Sequence, residues 1–122
     1  MKFFRYSAPR TLNDATLLLS QYGGKAKILA GGTDLLGQLK NRIQSNYPEL
    51  VIDIKSITDM AVIQQDSEGV KIGALTKLSQ LADNSIISEQ YPALSQAAAA
   101  AASPHIRAMG TIGGNLCQGI RC

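Results

Sequence analysis

The sequence predicts an α/β (α+β) domain, and three observations lead there. Ile28-Leu29-Ala30-Gly31-Gly32-Thr33-Asp34-Leu35-Leu36 joins a short apolar run to a helical pattern through two adjacent glycines, which reads as a strand, a tight turn and a helix start. Leu50-Val51-Ile52-Asp53 reads as a buried strand one helix later, so the two make a βαβ unit, expected to be parallel and right-handed. A second glycine-rich stretch, Gly110-Thr111-Ile112-Gly113-Gly114-Asn115-Leu116-Cys117, follows about 80 residues after the first.

Taken in order, residues 3–6 form a short strand that Ser7-Ala8-Pro9 ends. Thr11 caps a helix over 12–22, with Asp14 as the acidic partner of a shortened capping box and Gly23-Gly24 as the stop. Ala15, Leu18, Leu19 and Tyr22 give that helix an apolar face, and the strand at 26–30 is the natural surface for it. Thr33 is placed to cap the next helix, over 34–42, in which Leu35, Leu36 and Leu39 recur at helical spacing. Beyond Ile54 the texture changes. Residues 60–65 and 70–73 read as two strands of a hairpin around Asp66-Ser67-Glu68-Gly69, Thr76 caps a helix to about Ala82, and 86–90 adds another helical turn. Pro92 starts an alanine-rich helix through Ala101, a thin cylinder that other elements approach closely, and Ser103-Pro104-His105-Ile106-Arg107 breaks it. A subdomain boundary falls near 55–56, giving 1–55 and 56–122.

Composition bounds the function. The 122 residues are 45% hydrophobic and 17% charged, which suits one globular domain. No apolar run approaches the roughly 20 residues of a membrane span, and the N-terminus lacks a signal-peptide core, so a cytoplasmic protein is expected. Residues 1–42 carry seven basic side chains against Asp14 and Asp34, whereas 43–122 carry five basic and seven acidic. That asymmetry favours an anionic ligand near the first glycine turn. The basic residues are scattered and no aromatic motif accompanies them, so a nucleic-acid surface is not expected.

Glycines at 31 and 32 give the backbone access to positive φ and let a ligand approach closely, and free N–H groups ahead of a helix attract phosphate or pyrophosphate. The same pair also serves as a plain turn, and Asp34 would repel a phosphate. Neither G-x-G-x-x-G nor a P-loop Lys-Ser/Thr is present. Two glycine-rich turns, each beside a threonine, suggest two walls of one cleft. His105 is the only histidine, and no Ser-His-Asp arrangement or metal-ligand spacing goes with it. The residues by themselves thus lead to an anion- or nucleotide-binding α/β domain without visible catalytic residues.

Ala30-Gly31-Gly32-Thr33-Asp34 and Thr111-Ile112-Gly113-Gly114-Asn115 together resemble the two flavin-binding motifs in the FAD subunits of molybdenum hydroxylases, the family of xanthine dehydrogenase, carbon monoxide dehydrogenase and 4-hydroxybenzoyl-CoA reductase. The opening Phe4-Arg5-Tyr6-Ser7-Ala8-Pro9-Arg10-Thr11 approximates that family's start, and the likeness covers essentially the whole chain. The resemblance implies an FAD-binding module similar to that of vanillyl-alcohol oxidase, with a βαβ-type N-terminal subdomain and part of a second α/β subdomain. It implies that Ile28, Leu29, Ala30, Gly31, Gly32, Thr33, Asp34 and Leu35 wrap the pyrophosphate and ribityl through backbone N–H groups. Thr111, Ile112, Gly113, Gly114 and Asn115 would line the other side, with Ile112 and the glycines near the flavin end, and Ala101 and Ala102 would also approach the cofactor.

The implied activity is electron transfer within a molybdopterin-dependent dehydrogenase, in company with an iron–sulfur subunit and a molybdopterin subunit. The family domain runs well past the second motif, so this chain is expected to be an expressed fragment, a truncated gene product or one piece of a split subunit, holding FAD weakly or not at all by itself. Cys117 and Cys122 are too few for a closed metal site. In one branch of the family, however, a similar stretch opens an insertion carrying a [4Fe–4S] cluster, in which Cys122 would be the first ligand. Two other readings stay open from the residues: a non-enzymatic nucleotide- or phosphate-binding module, and a fragment that binds nothing.

Overall fold

A computed structural model describes residues 1–43 and 46–119. The chain divides into two compact units, Met1–Thr58 and Asp59–Cys122.

In the first unit, β1 (Arg5–Ser7), β2 (Ala26–Leu29) and β3 (Leu50–Asp53) form a sheet in the order β1-β3-β2. Both pairings are parallel, with Tyr6 opposite Val51 and Ile28 opposite Ile52. β3 is central and wholly buried, which accounts for its unbroken Leu-Val-Ile run. Helix α1 (Leu12–Tyr22) connects β1 to β2. Thr11 Oγ1 accepts from the Asp14 N–H at 3.1 Å and donates to Asp14 Oδ2 at 2.7 Å, and Gly23, at φ +52°, closes the helix. These ends are the ones expected from Thr11, Asp14 and Gly23-Gly24.

Helix α2 (Leu35–Asn41) connects β2 to β3. Its Leu39 is fully buried, and Leu29, Leu39 and Val51 form a core with Phe4, Leu35 and Tyr47 packed against it. Burying such a leucine contributes about 2 kcal/mol. Thr33 does not cap this helix. The cap residue is Asp34, already in a right-handed helical conformation, and the Gly32 carbonyl accepts the Leu36 N–H at 3.1 Å. The left-handed Gly32 makes the turn one residue before Thr33, which is left exposed.

The second unit begins with a hairpin of β4 (Ile63–Asp66) and β5 (Gly69–Ile72), with Ile63 opposite Ile72. Asp66 Oδ1 accepts the N–H groups of Glu68 and Gly69, which fixes the turn. Helices α3 (Leu78–Asp83), α4 (Ser85–Gln90) and α5 (Pro92–Ala100) follow, and Leu78, Leu81, Ile87 and Ala98 make the core. Thr76 is not the cap of α3. It is buried, with its hydroxyl donating to the Val62 carbonyl at 3.4 Å, and α3 starts after Lys77, whose N–H donates to Gln80 Oε1. The stretch expected only to break the alanine helix forms α6 (Pro104–Met109), capped by Ser103 with Pro104 in its first turn. The second glycine stretch is itself helical, α7 (Ile112–Cys117). Among the described residues no helix is long and apolar enough to cross a membrane.

Candidate functional site

The carboxyl edge of a parallel sheet is where open α/β folds bind ligands, because loops diverge there and leave backbone groups unpaired. β2 delivers the first glycine stretch to that edge. Gly32 has φ +81°, and a Cβ on it would lie 3.0 Å from Leu36 Cδ1 and 3.2 Å from Leu29 Cδ1. The conformation therefore favours glycine, and the two leucine tips would have to give way slightly for any Cβ. Among the described residues, the N–H groups of Gly31, Gly32, Thr33 and Leu35 meet no acceptor from the protein. Open donors of this kind take water or a ligand oxygen. The carboxylate that would disfavour an anion is engaged elsewhere, since Asp34 Oδ2 accepts from Gln38 Nε2 along α2. Leu29 and Leu35 turn their side chains into the core, so these two positions offer a ligand mainly backbone, whereas Ile28 is exposed.

Beside this turn lies a polar cluster that sequence reasoning missed. Asp53, 6% exposed at the end of β3, accepts from Tyr6 Oη at 2.8 Å and from the Lys55 N–H at 2.9 Å. Lys55 Nζ stands 2.7 Å from the same carboxylate and 3.5 Å from the Ala30 carbonyl. Burial pushes the Asp53 carboxyl up, but the Lys55 ammonium, the Lys55 N–H and the Tyr6 hydroxyl outweigh it and hold the group below the usual carboxylate range. The Tyr6 phenol is pushed up in turn, chiefly by its hydrogen bond to Asp53. The available signal was a lone aspartate ending an otherwise apolar strand, followed two residues later by a lysine.

The second glycine stretch is built differently. Thr111 is buried and bridges Lys77, and its Oγ1 accepts the Gly114 N–H at 3.2 Å. The Ile112 N–H donates to the Thr76 carbonyl and the Gly113 N–H to the Ala74 carbonyl, each at 2.9 Å, while the Asn115 N–H donates to the Thr111 carbonyl. The backbone donors over 112–115 are thus already used. A Cβ on Gly113 would sit 2.8 Å from Ala74 Cβ, so this glycine serves close packing, and the Ile112 side chain packs against the Leu78–Leu81 core. Gly114 and Asn115 are exposed. Ala101 packs partly into the same core, and Ala102 is exposed with φ +48°.

His105 is exposed on α6. Cys117 is a free, exposed thiol, and Cys122 lies outside the described residues. Among the described residues no three His, Cys, Asp or Glu side chains gather around a point.

Residues 2–121 match the family described as the FAD binding domain in molybdopterin dehydrogenase. The carbon monoxide dehydrogenase medium chain of Hydrogenophaga pseudoflava is 40% identical over 116 residues, which cover 95% of this chain and 40% of that protein. The nicotinate dehydrogenase FAD-subunit of Eubacterium barkeri is 41% identical over 117 residues, covering 95% and 39%. A solved structure of the Hydrogenophaga pseudoflava carbon monoxide dehydrogenase superposes with a TM-score of 0.89 at 39% identity, over 94% of this chain and 39% of that one. The chain therefore spans about 40% of the length of the curated relatives it matches.

Proposed function

The chain belongs to the family of FAD-binding domains of molybdopterin dehydrogenases, and from that premise we propose that it is the part of an FAD subunit that grips the diphosphate of the cofactor. The observation that carries this reading is the set of open N–H groups at Gly31, Gly32, Thr33 and Leu35, presented on the carboxyl edge of a parallel sheet by a left-handed glycine. A diphosphate needs several donors at fixed spacing and no side chain in its way, and the turn after β2 meets both needs.

In this reading residues 28–35 hold the pyrophosphate and ribityl, and Lys55, pinned to Asp53, fixes the Ala30 carbonyl beside them. Residues 111–115 contribute differently. Their N–H groups hold their own segment in place, and the exposed Gly114 and Asn115 meet the cofactor, with Ala101 and Ala102 as a further contact. When bound, FAD accepts and releases electrons in ones or twos; the protein supplies binding, orientation and exclusion of water.

The finer architecture we propose is the vanillyl-alcohol-oxidase-like module, with 1–55 as its N-terminal subdomain and 56–122 as part of its second. We also propose that the whole protein works in the cytoplasm, passing electrons between an iron–sulfur subunit and an external partner, with a molybdopterin subunit handling substrate.

Competition binding tests the central assignment. In equilibrium dialysis, with FAD quantified by chromatography, ADP is expected to displace bound FAD, and riboflavin, which lacks the diphosphate, to compete poorly. Equal competition by riboflavin and none by ADP would overturn the assignment of the diphosphate to residues 28–35.

A further inference from the structure

The sharpest backbone anomaly among the described residues of the second unit is Ala102, which holds φ +48° without being glycine. Ala101 before it has φ −70° and ψ 120°. Positive φ is normally left to glycine or asparagine, because a Cβ is disfavoured there. Something must hold alanine in that conformation, and strain kept at one place invites a functional reading. The holder is Arg107, one turn into α6. Its Nη1 donates to the Ala101 carbonyl at 3.0 Å and to the Ala102 carbonyl at 3.1 Å. Both are charge-assisted bonds of good length. Among the described residues Arg107 makes no ion pair with a carboxylate, so the half-buried guanidinium is directed at these two carbonyls.

Covalent order reinforces the clamp. The turn runs directly into Ser103, whose Oγ accepts the Ile106 N–H at 3.3 Å and starts α6, and α6 returns Arg107 to the turn. Three residues on, the Gly110 carbonyl accepts the Leu78 N–H, and Thr111 begins the second glycine stretch. A single side chain thus ties the 101–102 turn to the helix that leads into 111–115.

We infer that Arg107 is a positioning residue for the cofactor, holding the Ala101–Ala102 turn in its strained form so that the turn meets the flavin nucleotide already shaped. The inference rests on the FAD reading above and adds a residue to it. Arg107 acts through the two carbonyls and needs no contact with the cofactor.

A mutant cycle in the FAD-binding protein tests it. Arg107→Met removes the clamp, and FAD affinity is expected to fall about tenfold. Ala102→Gly lowers the conformational penalty, because glycine adopts positive φ unaided, and by itself is expected to change affinity less than about threefold. The double variant is expected to recover to within about threefold of wild type, a rescue that neither a lost charge nor a damaged helix would allow. Arg107→Gln, too short to bring one nitrogen to both carbonyls, replaces the methionine variant if that one does not fold, and the same rescue is expected. Unchanged affinity in Arg107→Met, or a double variant as weak as the single one, would overturn the inference.

Amide exchange of the cofactor-free protein reads the clamp separately. The Ala101 N–H, bonded to the Ala98 carbonyl at 3.4 Å, is expected to exchange faster in Arg107→Met. If wild type bound no FAD, the flavin reading would fall. Faster exchange would then still support the clamp, and unchanged exchange would remove that too.

Discussion

Tyr6 Oη donates to Asp53 Oδ2 across 2.8 Å, and this bond fastens the carboxyl ends of two parallel strands, β1 and β3. Lys55 completes the fastening from the other side of the carboxylate. Removing the carboxylate would leave an ammonium and a phenol without their common acceptor. Asp53→Ala is therefore expected to cost about 3 kcal/mol in urea unfolding, discounted from a fully buried pair because Lys55 is half exposed.

The same group gives the fold an acid limit. The folded carboxyl titrates below the ordinary carboxylate value, so its contribution is fully present above about pH 4 and is lost as pH falls through the folded value beneath that. The gap in melting temperature between wild type and Asp53→Asn is expected to stay constant from pH 7 to about pH 5 and to close below pH 4. A gap that widens on acidification would contradict the assigned direction.

Two glycines are expected to matter for packing. A Cβ on Gly73 would run into the Met60 carbonyl, and one on Gly113 would come within 2.9 Å of the Ala74 carbonyl oxygen. Backbone atoms yield little, so Gly73→Ala and Gly113→Ala are each expected to destabilise by about 2 kcal/mol in thermal or chemical unfolding. Gly24→Ala, with open space around it, provides the matched control.

Gly32 is expected to behave differently. Its neighbours within reach of a new Cβ are the ends of Leu36 and Leu29, which can move, but φ +81° penalises any side chain. In the full-length protein Gly32→Val is expected to cost about 2 kcal/mol and to abolish flavin retention, with far-UV circular dichroism largely kept. Full flavin retention in a folded Gly32→Val protein would contradict the assignment of this turn.

Local signals were legible in the sequence, and long-range ones were not. Thr11, Asp14 and Gly23 announce α1 because capping is a contract between near neighbours, and the Leu-Val-Ile run announces β3 because a central parallel strand is buried on both faces. Thr33 and Thr76 look equally good as caps. Their fates were set by a left-handed Gly32 in one case. In the other they were set by bonds from Gly73 to Val62 and from Leu75 to Met60 that draw Thr76 inward. The helices α6 and α7 carried readable signals, Ser103-Pro104 and Thr111, which the surrounding glycines and the alanine run obscured. At the candidate site the glycine motifs stood out, whereas Tyr6, Asp53 and Lys55 are brought together only by sheet pairing over 47 residues of sequence. The difference between the two glycine stretches, one with open donors and one with its donors used, depends on which carbonyls lie nearby.

The most direct test follows individual backbone amides by 1H–15N NMR as FAD is added, an approach that reports weak as well as tight binding. The amides of Gly31, Gly32, Thr33 and Leu35 are expected to shift in step with occupancy, ADP to reproduce most of those shifts, and the Ile112 and Gly113 amides, already bonded to Thr76 and Ala74, to move less. If the amides at 31–35 stay in place while FAD binds and shifts others, the diphosphate lies elsewhere and the account is wrong.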